Sequence, residues 1–411
     1  MMSLRPGSPF FFGISPSVFI VSAKSRSYAE AMNAEGRRLD IATTAVLVFA
    51  SAKTAEHLVA GIPAAARAAR EVGLVDGPTR CVFAVAGGWT PSARCLSELR
   101  RLTPQLSWTV ADPPNASGDT LYLRGAALPP AAAIASRADH PATVGGADHP
   151  AIVGGVAETA GWRHAESADL AELDRAGRAI VAATGKPGDG IVSRHINRPI
   201  SHAISRLLLR LPGVEPVHAT LGTLALGLAM AAALFLGGDT GLLWGALLFQ
   251  AASIFDGVDG EIARATFRAS DTGARLDSLT DMATNLAFVA GVTVNLGQQG
   301  HRLAAAASVA SFLMLATGLL LIGLRTSAMG GPFTFDLIKH HVRRRDTRLT
   351  RWLTFLTMRD FIALACAVLI LAGLGPHTLV GLALGVAVWL AVTLAVLFRT
   401  RTERPTQSTS P

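Results

Sequence analysis

Residues 217–236, VHATLGTLALGLAMAAALFL, contain no Asp, Glu, Lys or Arg. A helix of this length spans about 30 Å, which matches the hydrocarbon core of a bilayer. Since no water is available there to satisfy backbone N–H and C=O groups, such a segment must be helical. A second apolar run, Gly241 to Phe255, is too short to cross alone, so it is expected to continue as helix into DGVDGEIAR. Further spans are expected from about Ala274, over 303–324, from about Leu353 to Leu374, and over 378–398. The second half therefore reads as an all-α bundle of six transmembrane helices.

Charge placement supports that reading. Lys and Arg number 37 against 29 Asp and Glu, a formal net charge of +8. Many of the basic residues flank apolar spans instead of forming a nucleic-acid stripe, so the partner implied is the lipid bilayer and not nucleic acid. KHHVRRRDTR (339–348) and RTRTER (399–404) fall on one side of the six spans, and the connectors at 237–240, 296–302 and 375–377 fall on the other. The positive-inside rule then places the N-terminal half, the C-terminus and the aspartate stretch below in the cytoplasm, at the inner membrane if the cell is bacterial. Whether the chain forms a homodimer is left open by the sequence.

Before residue 200 the chain is mixed in character. TTAVLVFA (43–50), RCVFAVAG (80–87), SWTVAD (107–112) and TLYLRG (120–125) read as strands. KTAEHLVAGIPAAARAAREVG (53–73) and PSARCLSELRRL (91–102) read as helices, and the alternation predicts an α/β layer. Residues 1–42 are expected to be a disordered tail, because Pro9, Gly13, Ser15 and Pro16 interrupt the leader-like apolar stretch; Met32 is a candidate later start. ADHPATVGG (138–146) recurs as ADHPAIVGG (147–155), and the duplication accounts for His140 and His149 better than a metal site does. Cys81, Cys95 and Cys366 have no disulfide or zinc spacing and are expected to be buried small residues. In RPISHAISRLLLRLP, Ile200, Ile204, Leu207, Leu208 and Leu211 share a face opposite Arg206 and Arg210, which predicts an interfacial helix before the first span.

Asp256 and Asp259 are i and i+3 at the end of the second span, and Asp277 and Asp281 are i and i+4 at the start of the third. Each pair lies on one helical face. Carboxylates at such positions are costly and mark functional sites, and antiparallel return of the two helices would bring the pairs together. Divalent cations would relieve the repulsion, and all-oxygen donors suit Mg²⁺ or Mn²⁺ in a two-metal site able to hold a diphosphate. Gly257, Gly260 and Gly273 would permit a close ligand approach, or alternatively tight helix packing. A cation- or proton-coupled transporter is the competing reading, although its site is expected nearer the bilayer midplane.

The run D-G-V-D-G-E-I-A-R, eight residues, then G-A-R-L-D-S-L-T-D resembles the signature of the CDP-alcohol phosphatidyltransferases, with Asp256, Asp259, Gly260, Ala263, Arg264, Gly273, Asp277 and Asp281 at its defined positions. The resemblance implies a six-helix membrane domain that moves a substituted phosphoryl group from a CDP-alcohol donor to an alcohol acceptor, releasing CMP. It implies that the four aspartates bind the metals and that Asp281 is the general base. It also implies that Gly260, Ala263, Arg264 and Gly273 line the nucleotide site. GKPGDGIVSRHINRPISHAISRLLLR (185–210) resembles the linker and juxtamembrane helix of the inositol-phosphate branch, which includes enzymes fused to a nucleotidyltransferase. Arg194, Arg198 and Arg359 are the candidates to hold a phosphate of the acceptor, polyol phosphate or inositol phosphate, because guanidinium binds phosphate in a bidentate manner. Lipid headgroups for the first two, and an ion pair with Asp360 for the third, are the competing roles.

By the same comparison the N-terminal half resembles a nucleotidyltransferase, but ASAKTAEH stands where such domains carry a Gly-rich triphosphate loop. It is read as degenerate and non-catalytic, with Asp119 the weak exception; a bifunctional cytidylyltransferase/transferase is the alternative. The expected organisation is a tail over 1–42, the α/β domain over 43–184, linker and interfacial helix over 185–216, the six-span domain over 217–398 and a basic tail over 399–411.

Overall fold

The computed structural model describes residues 44–76, 78–111, 120–138, 152–153, 166–186, 188–328 and 358–402. Asp119, His140, His149, the basic stretch 339–348 and the segments 1–42 and 403–411 lie outside the described residues.

The first unit is built on a five-stranded sheet with order β5-β4-β1-β6-β7. The strands are β1 (Thr44–Phe49), β4 (Arg80–Val85), β5 (Ser107–Val110), β6 (Thr120–Arg124) and β7 (Ile152–Val153). β1 pairs in parallel with both β4 and β6, β4 pairs in parallel with β5, and β7 closes the edge antiparallel to β6. The central strand reads TAVLVF, a nearly continuous apolar run, as expected for a parallel strand covered on both faces. Helices α2 (Ala64–Gly73) and α3 (Ala93–Leu102) contribute Ala65, Ala69, Val72 and Leu99 to its core, and a later helix, α5 (Glu166–Ala182), contributes Leu173.

The helix expected over 53–73 is interrupted. Chain order there is α1 (Ala52–Glu56), a hairpin of β2 (Leu58–Val59) and β3 (Ile62–Pro63), then α2. Ala60 and Gly61 both adopt positive φ, 46° and 85°, so the backbone turns where a helix would need right-handed angles. The reason is tertiary: a Cβ on Gly61 would stand 2.7 Å from Leu209 Cδ2 and 3.2 Å from Thr266 Cγ2, so the hairpin tip is pressed against the membrane domain.

A short helix α4 (Ala131–Ala138) follows β6, and α6 (Arg198–Leu208) precedes the bundle. The apolar face expected on this interfacial segment divides. Ile200, Leu207 and Leu211 are exposed, whereas Ile204 and Leu208 pack on Ala60, Val258 and Ile262, and Ser201 and Ser205 are buried.

The remaining helices are α7 (Pro216–Leu236), α8 (Gly238–Ala265), α9 (Asp271–Gln298), α10 (Arg302–Ala328), α11 (Arg359–Leu371) and α12 (Gly375–Thr402). Four of them, α7, α8, α10 and α12, are long and apolar enough to cross a membrane. α9 has the length but carries Asp271, Arg275, Asp277 and Asp281, and α11 is described over 13 residues. The apolar run ending at Phe255 does continue as helix through Arg264. Asn295 of α9 ties the α7–α8 turn by donating Nδ2 to the carbonyls of Leu234 and Gly238, both at 2.8 Å. Cys81, Cys95 and Cys366 are buried free thiols, and burial pushes the Cys95 thiol up to about 12.

Candidate active site

α8 ends at Ala265, and α9 starts at Asp271 behind an N-cap in which Ser270 Oγ accepts the Gly273 N–H at 3.1 Å. Only the residues between them reverse the chain, so the carboxylates near the end of α8 meet those at the start of α9. One oxygen each of Asp256, Asp277 and Asp281 can be chosen so that all lie within 4.8 Å of one another. Asp259 is held differently. It is 8 % exposed, and it accepts hydrogen bonds from Thr220 Oγ1 of α7 at 2.6 Å and from the Gly260 N–H at 2.5 Å.

Arg359, the first residue of α11, enters this group. Its Nη1 lies 3.1 Å from Asp256 Oδ1 and also pairs with Asp281, while Nη2 donates to Thr284 Oγ1 at 3.0 Å. Beneath it, Phe249 and Phe288 stack with centroids 3.9 Å apart. The neighbouring Asp360 accepts from the Ser193 N–H at 2.8 Å, which ties α11 to the segment ahead of α6.

Three carboxylates this close, with one guanidinium among them, leave net negative charge in a confined site, which a divalent cation would balance. The donors are all oxygen, the set that suits Mg²⁺ or Mn²⁺. Asp256, Asp277 and Asp281 therefore fit the metals expected, with Asp259 adjoining.

These groups line a cavity of about 320 Å³ whose wall also includes Lys186, Asp189, Arg198, Gly260 and Arg264. Arg264 is fixed by donating Nε to the Thr184 carbonyl at 2.8 Å. A Cβ on Gly260 would lie 2.9 Å from Arg264 Nη1, so this glycine makes room for the guanidinium. Of the other residues expected here, Ala263 is half-buried and Gly273 is exposed in the first turn of α9; neither forms part of the wall. Arg194 is exposed, outside the wall, with Nη2 3.4 Å from the Asp189 carbonyl.

Arg198 forms a bidentate pair with Asp189, at 2.7 and 3.1 Å, and donates Nη1 to Glu261 at 2.7 Å. Burial opposes its charge, but the hydrogen bonds and charges of Asp189 and Glu261 outweigh burial and raise its pKa. For Asp189 the balance is the same in kind: burial would raise its pKa, and Arg198 holds it below the ordinary carboxylate range. Glu261 is fully buried and also accepts from Ser201 Oγ at 2.6 Å and Ser205 Oγ at 2.5 Å. The motif spacing does not single out Glu261, although the cost of a carboxylate beside lipid applies to it as much as to the aspartates around it. Lys186 and Asp189 are not marked by the sequence either, because charged residues in a Gly-rich linker carry no periodic signal.

Residues 216–393 match the family model described as CDP-alcohol phosphatidyltransferase. The chain is also similar to curated proteins named bifunctional IPC transferase and DIPP synthase. That of Thermococcus kodakarensis is 38 % identical over 139 residues, 33 % of this chain and 30 % of the relative. That of Archaeoglobus fulgidus is 40 % identical over 120 residues, 29 % and 23 % respectively. That of Rubrobacter xylanophilus is 44 % identical over 126 residues, 31 % and 27 %. The match thus spans less than a third of the length of these relatives.

Proposed function

We propose that this chain, whose residues 216–393 match the family model described as CDP-alcohol phosphatidyltransferase, is a six-span integral membrane enzyme that transfers a substituted phosphoryl group from a CDP-alcohol to an alcohol acceptor of polyol-phosphate or inositol-phosphate type. The observation that carries this reading is the grouping of Asp256, Asp277 and Asp281 with Arg359 on the wall of one cavity. The site and both termini face the cytoplasm by the positive-inside rule.

Asp256, Asp259, Asp277 and Asp281 would hold the metals, and Gly260 and Arg264 would bound the nucleotide. Bound divalent cations would neutralise the diphosphate and make CMP a better leaving group. Asp281 takes the proton of the acceptor hydroxyl. The acceptor oxygen forms a bond to the phosphorus that carries the donor alcohol, and the bond from that phosphorus to the CMP oxygen breaks. Arg359 and Lys186 offer cationic contacts to phosphate oxygens. Arg198, already paired with two carboxylates, positions α6 against α8.

The test is CMP release from the purified protein with a panel of CDP-alcohols and polyol phosphates, with and without Mg²⁺. No CMP from any pair, while Asp281→Asn folds equally well, removes the transferase reading.

The bifunctional reading has support in the names of the relatives. Against it, Ser51 and Thr54 at the β1–α1 turn close on one another in a capping box, Thr54 N to Ser51 Oγ at 3.3 Å and Ser51 N to Thr54 Oγ1 at 3.1 Å. Those amides are engaged where a triphosphate loop would need them free. Consumption of CTP by the full chain, assayed separately from CMP release, decides between the two.

A further inference from the structure

The three carbonyls that follow the aspartate end of α8 are all taken by arginines of the α/β domain. Arg67 Nη2 donates to the Ala265 carbonyl at 2.7 Å. Arg101 donates Nη2 to the Thr266 carbonyl at 2.8 Å and Nη1 to the Phe267 carbonyl at 3.2 Å. The last carbonyls of a helix lack partners within it and carry the negative end of its dipole, so cationic donors here are favourable twice over.

The side chains of the connector are held as firmly as its backbone. Phe267 has φ 55°, a left-handed conformation that a bulky residue rarely keeps unless its surroundings impose it. The Arg70 guanidinium lies 3.7 Å from its ring centroid. Arg268 pairs with Glu98 at 2.5 Å, and the other oxygen of Glu98 accepts from Arg101 Nη2 at 2.6 Å. Arg67 is 5 % exposed and also reaches the carbonyls of Val59 and Ala60, so it joins the β2–β3 hairpin to the end of α8. Burial lowers its pKa to about 10, which still leaves it charged at neutral pH.

We infer that the α/β domain is a brace for the aspartate site: Arg67, Arg101 and Glu98 clamp the α8–α9 connector and thereby fix the rotation of Asp277 and Asp281 against Asp256. These are positioning residues, since none touches the cavity that would hold substrate. The role gives the domain a function that needs no nucleotide, consistent with a closed capping box in place of a triphosphate loop. A connector of five residues, 266–270, transmits any slack directly to α9, and Asp277 lies less than two turns from its start.

This inference rests on the transferase reading for its link to catalysis but can be tested apart from it. Full-length protein in nanodiscs, as Arg101→Ala and, in the connector itself, Arg268→Ala, is compared with wild type and with Arg101→Lys. Three readouts are taken: amide hydrogen exchange over 266–275, Mn²⁺ binding from the free-ion paramagnetic resonance signal, and the Mg²⁺ dependence of CMP release. Loss of charged hydrogen bonds of this kind is expected to speed exchange and to raise the half-saturating metal concentration about tenfold, with the rate largely restored at saturating metal. Arg101→Lys, which cannot span two carbonyls and Glu98, is expected to recover little of the loss. Unchanged exchange, or unchanged metal half-saturation with only a lower rate at every metal concentration, overturns the brace. Shifted exchange and Mn²⁺ binding in a protein that releases no CMP would leave the brace standing and remove the transferase reading.

Discussion

Arg359 Nη1 lies 3.1 Å from Asp256 Oδ1, a contact that crosses from the first turn of α11 to the end of α8. The same guanidinium pairs with Asp281 of α9, so one cation joins three of the helices that line the cavity. It occupies the carboxylates that the proposed metals would use. Arginine and metal therefore compete for the same charge, while a bound phosphate would draw the guanidinium away from the carboxylates.

That competition separates two effects of Arg359→Ala. Removing the guanidinium frees Asp256 and Asp281, so half-saturation by Mn²⁺ should move to lower concentration. Loss of a charged phosphate contact should raise KM for a phosphorylated acceptor about tenfold. Arg359→Lys keeps the charge but not the fork and should show a smaller shift of both. Titration of the metal and acceptor dependence of CMP release measures the split; weakening of both together would assign Arg359 to packing alone.

Asp281 and Asp277 are predicted to differ in how metal rescues them. Asparagine at either position keeps the shape of the side chain, removes a charge and cannot take up a proton. Asp277→Asn should lower activity mainly through metal affinity, so excess Mg²⁺ should recover part of it. Asp281→Asn should lower kcat about a hundredfold or more, the scale of general-base catalysis, at every Mg²⁺ concentration. Equal rescue of both variants would remove the base assignment from Asp281.

The spacing of the four aspartates is visible in the sequence because helix periodicity is local, and the same holds for the continuation of α8 beyond Phe255. A run of apolar residues too short to cross must carry its helix onward. What periodicity cannot show is that Asp259 turns to Thr220 of α7 while the other three converge, since this depends on how α7 packs against α8. The break in the expected 53–73 helix has the same origin: Ala60 and Gly61 turn the chain where it meets Leu209 and Thr266, residues far away in sequence. Even less legible are the bonds of Arg67 and Arg101 to carbonyls 265–267, because every residue has a carbonyl and none of them marks the sequence.

Gly257 lines the cavity and also lies under the Arg198 guanidinium. A Cβ there would stand 2.9 Å from Arg198 Nη1 and 3.6 Å from Glu261 Oε1. The end of an arginine side chain usually yields to such a contact, but this one is fixed by Asp189 on one side and Glu261 on the other. Gly257→Ala should therefore cost about 1–3 kcal/mol, the range of overpacking, seen as a lower thermal unfolding midpoint in detergent. Gly273→Ala, whose Cβ would meet only Ser270 Oγ at 3.2 Å, should cost less.

The Asp189–Arg198 pair predicts how stability depends on acid. Asp189 has a depressed pKa in the folded protein, through its bidentate bond to Arg198 and despite the opposing effect of burial. A carboxylate of this kind binds a proton more readily when unfolded, so the stability it contributes is complete above its unfolded pKa of about 3.9 and is lost as pH falls through the lower folded value. Arg198 has a raised pKa and stays charged throughout this window. Other carboxylates contribute to the acid limb as well, and comparison with Asp189→Asn isolates this one. At pH 6 the variant should unfold at a lower temperature than wild type, because Arg198 keeps only Glu261 as a charged partner. Between pH 5 and about 3 the wild type should lose stability more steeply, so the two curves approach each other. Parallel curves across that range would mean that Asp189 gains nothing from Arg198 on folding, and the pair would then be a contact without energetic coupling.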